Sequence, residues 1–266
     1  MTKSLKKYLL LVATIILSVT LAACGMGAST EQIVNKSVES SKNIKSTDFE
    51  ATSSSEILIG EQTQTIENTV SGSLILEPLT MKATTNVKAQ GQSQTLALYI
   101  KDGTAYAKST GQNEWVKSSN NSITAQFENL KKIANSDKIL EFYKKIAKDF
   151  KKTEENGNYV LTYTGNGEQF KELMAAVANA SSGSEVTASS FNNVDFKNVS
   201  IKLVVTKDFT PVNNEVSIEL ASKDTPTPTT MKIKQIIKYS NVNNVKEINL
   251  PDEVKNAKEV ATNSHR

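Results

Sequence analysis

Leu98-Tyr99-Ile100-Lys101-Asp102-Gly103-Thr104-Ala105-Tyr106 reads as strand, turn, strand. Leu98 and Ile100 continue an alternation begun at Leu96, Asp102-Gly103 is a strong two-residue hairpin signal, and Thr104 to Lys108 carries the chain back. Toward the N-terminus the period of two persists. Met81, Ala83, Thr85 and Val87 oppose Lys82, Thr84, Asn86 and Lys88, with a turn at Gln90-Gly91. Phe49, Ala51, Ser53, Ser55, Ile57 and Ile59 alternate with Glu50, Thr52, Ser54 and Glu56, and Gly60-Glu61 leads into Ile66, Val70, Leu74 and Leu76. Strands that are apolar on one side and polar on the other, joined by short turns, predict an antiparallel meander with one face toward a core. Toward the C-terminus, Glu114-Trp115-Val116-Lys117 follows a turn at Gly111.

Beyond Trp115 the period changes. Ile123, Phe127, Leu130 and Ile133 recur at helical spacing, and so do Ile139, Phe142, Tyr143, Ile146 and Phe150, with lysines on the other face. A strand from Tyr159 to Thr164 follows the Asn156-Gly157 turn, and Asn166 with Gln169 opens a helix carrying Phe170, Leu173, Met174 and Val177. Ala180 to Asn193, rich in Ser, Gly and Asn, reads as a mobile loop. Three strands follow, at Val199 to Val205, Val216 to Leu220 and Met231 to Tyr239, the last two separated by the extended Pro226-Thr227-Pro228. Ahead of the meander, Ser29 and Gln32 have capping-box spacing before the apolar stripe Ile33, Val34 and Val38, which predicts a first helix. From Pro251 the sequence is polar and predicts a frayed tail, residues 251–266. This order of elements predicts an α+β fold. A sheet of eight to ten antiparallel strands should curl, with the amphipathic helices across its concave face.

The first two dozen residues carry a different message. Lys3, Lys6 and Lys7 precede an apolar run from Tyr8 to Val19 that is too short to span a bilayer, and Leu21-Ala22-Ala23-Cys24 follows. This segment resembles a lipoprotein signal peptide with its lipobox. The resemblance implies cleavage before Cys24, a diacylglyceryl group on the Cys24 thiol, and a home on the outer face of the cell membrane. The chain then divides into a signal peptide (1–23), a lipidated tether (24–28), a single domain (29–250) and the tail. Removing the leader takes three of the 31 basic residues and none of the 28 acidic ones, so the mature chain of 243 residues balances. A neutral body offers no basic face for nucleic acid.

The helix-then-strand opening, the hairpin Leu98 to Tyr106, and Glu114-Trp115-Val116-Lys117 ahead of the helices resemble Gram-positive lipoproteins of the LolA/LppX-like (LppX/LprG) family. That resemblance implies a half-barrel closed by helices around an apolar cavity that in relatives holds acyl chains. It transfers no ligand motif.

Signs of chemistry are sparse. His265, the sole histidine, sits beside the C-terminal Arg266, and Cys24, the sole cysteine, is committed to lipid, so neither a nucleophile–histidine site nor a thiolate metal site is expected. No phosphate-cradling glycine loop occurs, and Glu154-Glu155 and Asp252-Glu253 read as solvated surface. The expectation is therefore a non-enzyme without cofactor or metal. Two classes remain. In one the body binds a hydrophobic ligand, most plausibly lipid, in a pocket lined by Trp115, Phe127, Phe142, Tyr143, Phe170, Leu173 and Val177. In the other those residues fill a solid core, and the protein meets cell-wall polymer or an envelope protein through its surface.

Overall fold

The computed structural model describes residues 27–119, 137–165, 167, 170–171, 173–175, 188–223, 227 and 229–259. Its helices are α1 (Thr30–Lys42) and α2 (Asp137–Ile146). The strands are β1 (Ser46–Ile59), β2 (Gln62–Leu76), β3 (Leu79–Ala89), β4 (Gln92–Lys101), β5 (Thr104–Ser109), β6 (Val116–Ser118), β7 (Lys151–Glu155), β8 (Asn158–Gly165), β9 (Val194–Val205), β10 (Pro211–Ser222), β11 (Thr229–Ser240) and β12 (Lys258–Glu259). Among the described residues these twelve form one sheet, ordered β12-β6-β5-β4-β3-β2-β1-β11-β10-β9-β8-β7. Every pairing is antiparallel except β12 on β6. The class is thus mostly β with few short helices, and the sheet is wider than the eight to ten strands expected. The helix predicted around Ile123 to Ile133 lies outside the described residues.

The turns explain the register of the meander. Asp102 and Gly103 have φ of 50° and 73°, the left-handed pair of a type I′ turn, whose twist matches that of the flanking strands. Gly60 alone is left-handed in the β1–β2 turn, as a II′ turn requires. With register fixed, directly paired residues fall in rows on one face. One row runs Val116, Ala107, Leu98, Ala83, Gly72, Phe49, Tyr239 across seven strands from β6 to β11, and none of its members is charged. Gly72 has a steric reason. A Cβ there would collide with the Lys82 carbonyl oxygen and lie 2.9 Å from the Ala83 Cα, both backbone atoms of the neighbouring strand. Gly72→Ala is therefore expected to push β2 from β3 and lower stability by about 1–3 kcal/mol, read as a lower denaturant midpoint.

The two strand edges are blunted differently. β7, Lys-Lys-Thr-Glu-Glu, is exposed at every residue, and its charges discourage further strand addition. No apolar alternation marks it in the sequence. At the other edge, the expected frayed tail is in fact docked as far as Glu259. Val254 and Ala257 are buried on Trp115, Lys258 N–H donates to the Trp115 carbonyl at 2.9 Å, and Lys258–Glu259 pairs with β6. Two well-placed apolar residues, Val254 on a short 3₁₀ helix (Asp252–Asn256) and Ala257 at its C-cap, suffice, because the indole offers them a large apolar surface.

A set of asparagine contacts joins the start of β1 to the segment that follows β11. Asn243 Oδ1 accepts from Lys45 N–H at 2.6 Å, Asn243 N–H donates to Ser46 O at 2.7 Å, and Asn241 Nδ2 donates to Asp48 Oδ2 at 2.5 Å. Both asparagines are left-handed, a conformation this residue tolerates.

Candidate functional site

Helix α1 begins where the capping box predicts. Gln32 N–H donates to Ser29 Oγ at 3.2 Å and Ser29 N–H to Gln32 Oε1 at 3.0 Å, satisfying two of the donors a helix start leaves free. Its apolar stripe buries Ile33 and Val34 in the main core with Leu161, Tyr163, Phe196, Val199 and Ile201. α2 adds Ile146, Phe142 and Tyr143 to the same cluster. Phe142 packs edge-on against Phe170 with centroids 4.7 Å apart, and Phe170 lies 5.9 Å from Tyr163. The β9–β10 turn reaches α1 through Phe209. This bulky residue has φ of 63°, a strained value, and is held by stacking on Tyr159 at 6.0 Å and by the Lys36 ammonium 4.7 Å from its ring.

Beneath α1 this packing leaves a cavity of about 220 Å³. Its aliphatic wall is Val34, Val38, Ile44, Leu161, Leu203 and Val205, with Pro211 at one side. The rest is uncharged and polar: Ser37, Ser41, Tyr143, Asn213, Asn214 and Tyr239. Asn214 stands out by its place in the sheet. The paired row Leu161, Leu203, Asn214, Ile237, Ala51, Val70 is otherwise apolar. Ser37 Oγ, Asn213 Oδ1 and Asn214 Oδ1 are buried without a hydrogen-bond partner. Asn213 Nδ2 donates to Glu215 Oε1 at 2.8 Å, which fixes that amide's orientation. A larger groove, about 460 Å³, shares Asn213 and Tyr239 but is lined by exposed Glu50, Glu155, Asn156 and Lys238, so it is solvated surface. Among the described residues, no three His, Cys, Asp or Glu side chains are placed to hold a metal ion.

A family model described as a family of unknown function (DUF6612) matches residues 29–259, from the α1 cap to the end of β12. The chain belongs to DUF6612. No curated protein matches it. Among solved structures, the DUF6612 chain is similar to LprF from Mycobacterium bovis at 13% identity and a TM-score of 0.40, over 85% of this chain and 97% of that one. It is more distantly similar to a DUF1329 family protein from Desulfovibrio piger (12% identity, TM-score 0.23, 85% and 96% covered). The ywiB protein from Bacillus subtilis is comparable (8%, TM-score 0.18, 72% and 92%). At these scores no property passes from those proteins to DUF6612.

The residues singled out from sequence are divided by the DUF6612 fold. Phe142, Phe170 and Leu173 come together in the main core, while Tyr143 both joins that core and lines the cavity. Trp115 belongs elsewhere. It packs with Tyr99 and Tyr106 in a separate cluster, and these neighbours of Leu98 and Ala107 point to the sheet face opposite the helices. Phe127 and Val177 lie outside the described residues. The α1 residues and Asn214 were missed, although Asn214 carried a signal: it shares parity with Val216, Ile218 and Leu220, so a polar side chain holds an inward position.

Burial pushes the phenol of Tyr143 upward, and nearby Tyr239 adds to the shift; burial alone raises Tyr239. A phenol raised in the folded state favours folding only while the unfolded chain also holds its proton. That contribution is intact below about pH 10 and is lost as pH rises through the folded values. The DUF6612 domain is therefore expected to lose stability progressively above about pH 10, and Tyr143→Phe to lessen that loss, in melting curves measured across the alkaline range.

Proposed function

We propose that this protein is a non-enzymatic, membrane-anchored extracytoplasmic lipoprotein that holds an apolar chain in the cavity between α1 and the sheet. The observation that carries the reading is the void itself. It is a recess of about 220 Å³ beneath a helix, partly open to solvent and walled by valine, leucine and isoleucine, where a helix with only a structural role would pack closed. In this reading the sheet curls into a half-barrel with the helices across its concave face. The resemblance of the Leu98–Tyr106 hairpin and of Glu114–Lys117 to LolA/LppX-like lipoproteins supports the same arrangement, and the lipobox supports attachment to the outer face of the cell membrane through Cys24.

The reading is tested with a fluorescent acyl probe titrated into the protein. Saturable binding is expected, and Val38→Trp, which places an indole in the cavity, should weaken it by about tenfold or more while costing about 1–3 kcal/mol of stability. A probe that does not bind, or that binds Val38→Trp equally well, sinks the proposal. The competing reading, contact with cell-wall polymer or an envelope protein through the surface, has one observation in its favour. Ile59, Ile66 and Val87 are large, apolar and exposed at one end of the sheet. An absence of probe binding would turn attention there.

A further inference from the structure

The cavity's polar atoms restrict what head group a guest can bring, an inference that rests on the apolar-chain reading above and sharpens it. Size comes first. About 220 Å³ is below the ~300–1,000 Å³ of sites for drug-sized ligands, room for part of one chain and not for several. Charge comes second. Although charged residues make up 22% of the sequence, none lines the cavity among the described residues. A carboxylate or phosphate drawn in would lose its hydration and meet no cation in exchange.

Hydrogen-bonding capacity comes third. Among the described lining residues, two unpartnered atoms lie on the α1 side of the sheet, and both are oxygens: Ser37 Oγ and Asn214 Oδ1; Asn213, one residue away on β10, turns its amide to the other face. The Asn214 amide oxygen only accepts. These oxygens sit in the wall, out of reach of water and without a partner, so a donor that meets them supplies a bond they otherwise lack. A guest hydroxyl can donate to them, whereas an ionised carboxylate or a phosphodiester offers only further acceptors. Tyr143 and Tyr239, whose phenols stay protonated, can in turn donate to an ester or hydroxyl oxygen.

We propose that the cavity under α1 takes an uncharged, single-chain amphiphile whose head donates hydrogen bonds, of the monoacylglycerol or long-chain alcohol class, in preference to a fatty-acid anion or a phospholipid. The test compares monodecanoylglycerol with decanoate at neutral pH, where the acid is ionised, by calorimetric titration of the full chain carrying Cys24→Ala. The glycerol ester should bind at least about tenfold tighter, and Asn214→Leu should remove most of that preference without lowering the melting temperature. Ser37→Ala serves as a second variant should Asn214→Leu perturb folding, and it should narrow the preference in the same direction. Decanoate binding as tightly as the ester, or a preference unchanged in both variants, overturns the proposal. If the acyl probe binds but the two heads are not distinguished, the head assignment alone falls. If neither the probe nor either amphiphile binds, the cavity reading falls with it.

Discussion

Cys24→Ala is expected to move the protein from the membrane fraction to the medium, or to leave it as an uncleaved precursor. The physical reason is the pair of acyl chains that the lipobox implies. Each buried methylene of an acyl chain contributes about 0.8 kcal/mol, and two chains together make attachment stable where one gives only marginal binding. Among the described residues no helix is long and apolar enough to cross a membrane, and residues 24–266, with 28 basic and 28 acidic side chains, carry no net positive charge to draw them to anionic lipid. Fractionation of cells producing the variant reads the outcome directly. Retention in the membrane after signal cleavage would mean that some other surface binds the bilayer, and the lipobox reading would fail.

Trp115→Ala should cost about 3–5 kcal/mol, a large part of a typical domain's stability. The indole is nearly buried, meets Tyr99 edge-on with centroids 5.6 Å apart, and is the surface on which Val254 and Ala257 rest. Its loss removes both the packing and the reason for the C-terminal segment to dock. The polar ties left behind, Lys258–Glu114 and Lys117–Glu259, are exposed ion pairs that add little. For a domain of this size the melting temperature should fall by about 6–20 °C, and amide exchange should speed up at 252–259 before it does in β1 or β2. An unchanged melting temperature would show that the segment's docking contributes nothing to the domain. The same geometry changes what the tryptophan reports: its emission follows the C-terminal segment, not events beneath α1.

Local patterns were readable where one residue type decides one conformation. Asp102-Gly103 and Asn156-Gly157 form left-handed turns, the Ser29–Gln32 box caps α1, and the alternation of Phe49 to Ile59 sets which side of β1 is apolar. What periodicity lacks is the partner. It marks Trp115 as apolar and buried but cannot say which face of the sheet receives it, because that depends on residues 140 positions away. For β7 the alternation was absent altogether, since an edge strand with every side chain in water needs no apolar row. Asn214 shows the opposite case. The alternation placed it inward, yet a single polar residue among apolar neighbours acquires meaning only once the void beside it is known.

The position of β1 at the middle of the sheet bears on how the chain is made. Synthesis proceeds from the N-terminus, so β1 to β6 can form as successive hairpins while the second edge of β1, fourteen residues long, waits for Thr229–Ser240. Thr47 meets its hydrogen-bond partner Ser240 across 193 positions, and Ile33 of α1 is buried against strands that emerge more than a hundred residues after it. Such long-range closure is slow, so the second edge of β1 stays unpaired for most of the chain's synthesis. It also leaves a truncated chain with a bare central edge. Products that stop before β11 are therefore expected to pair with one another through β1 and to be recovered as aggregate or degraded fragments.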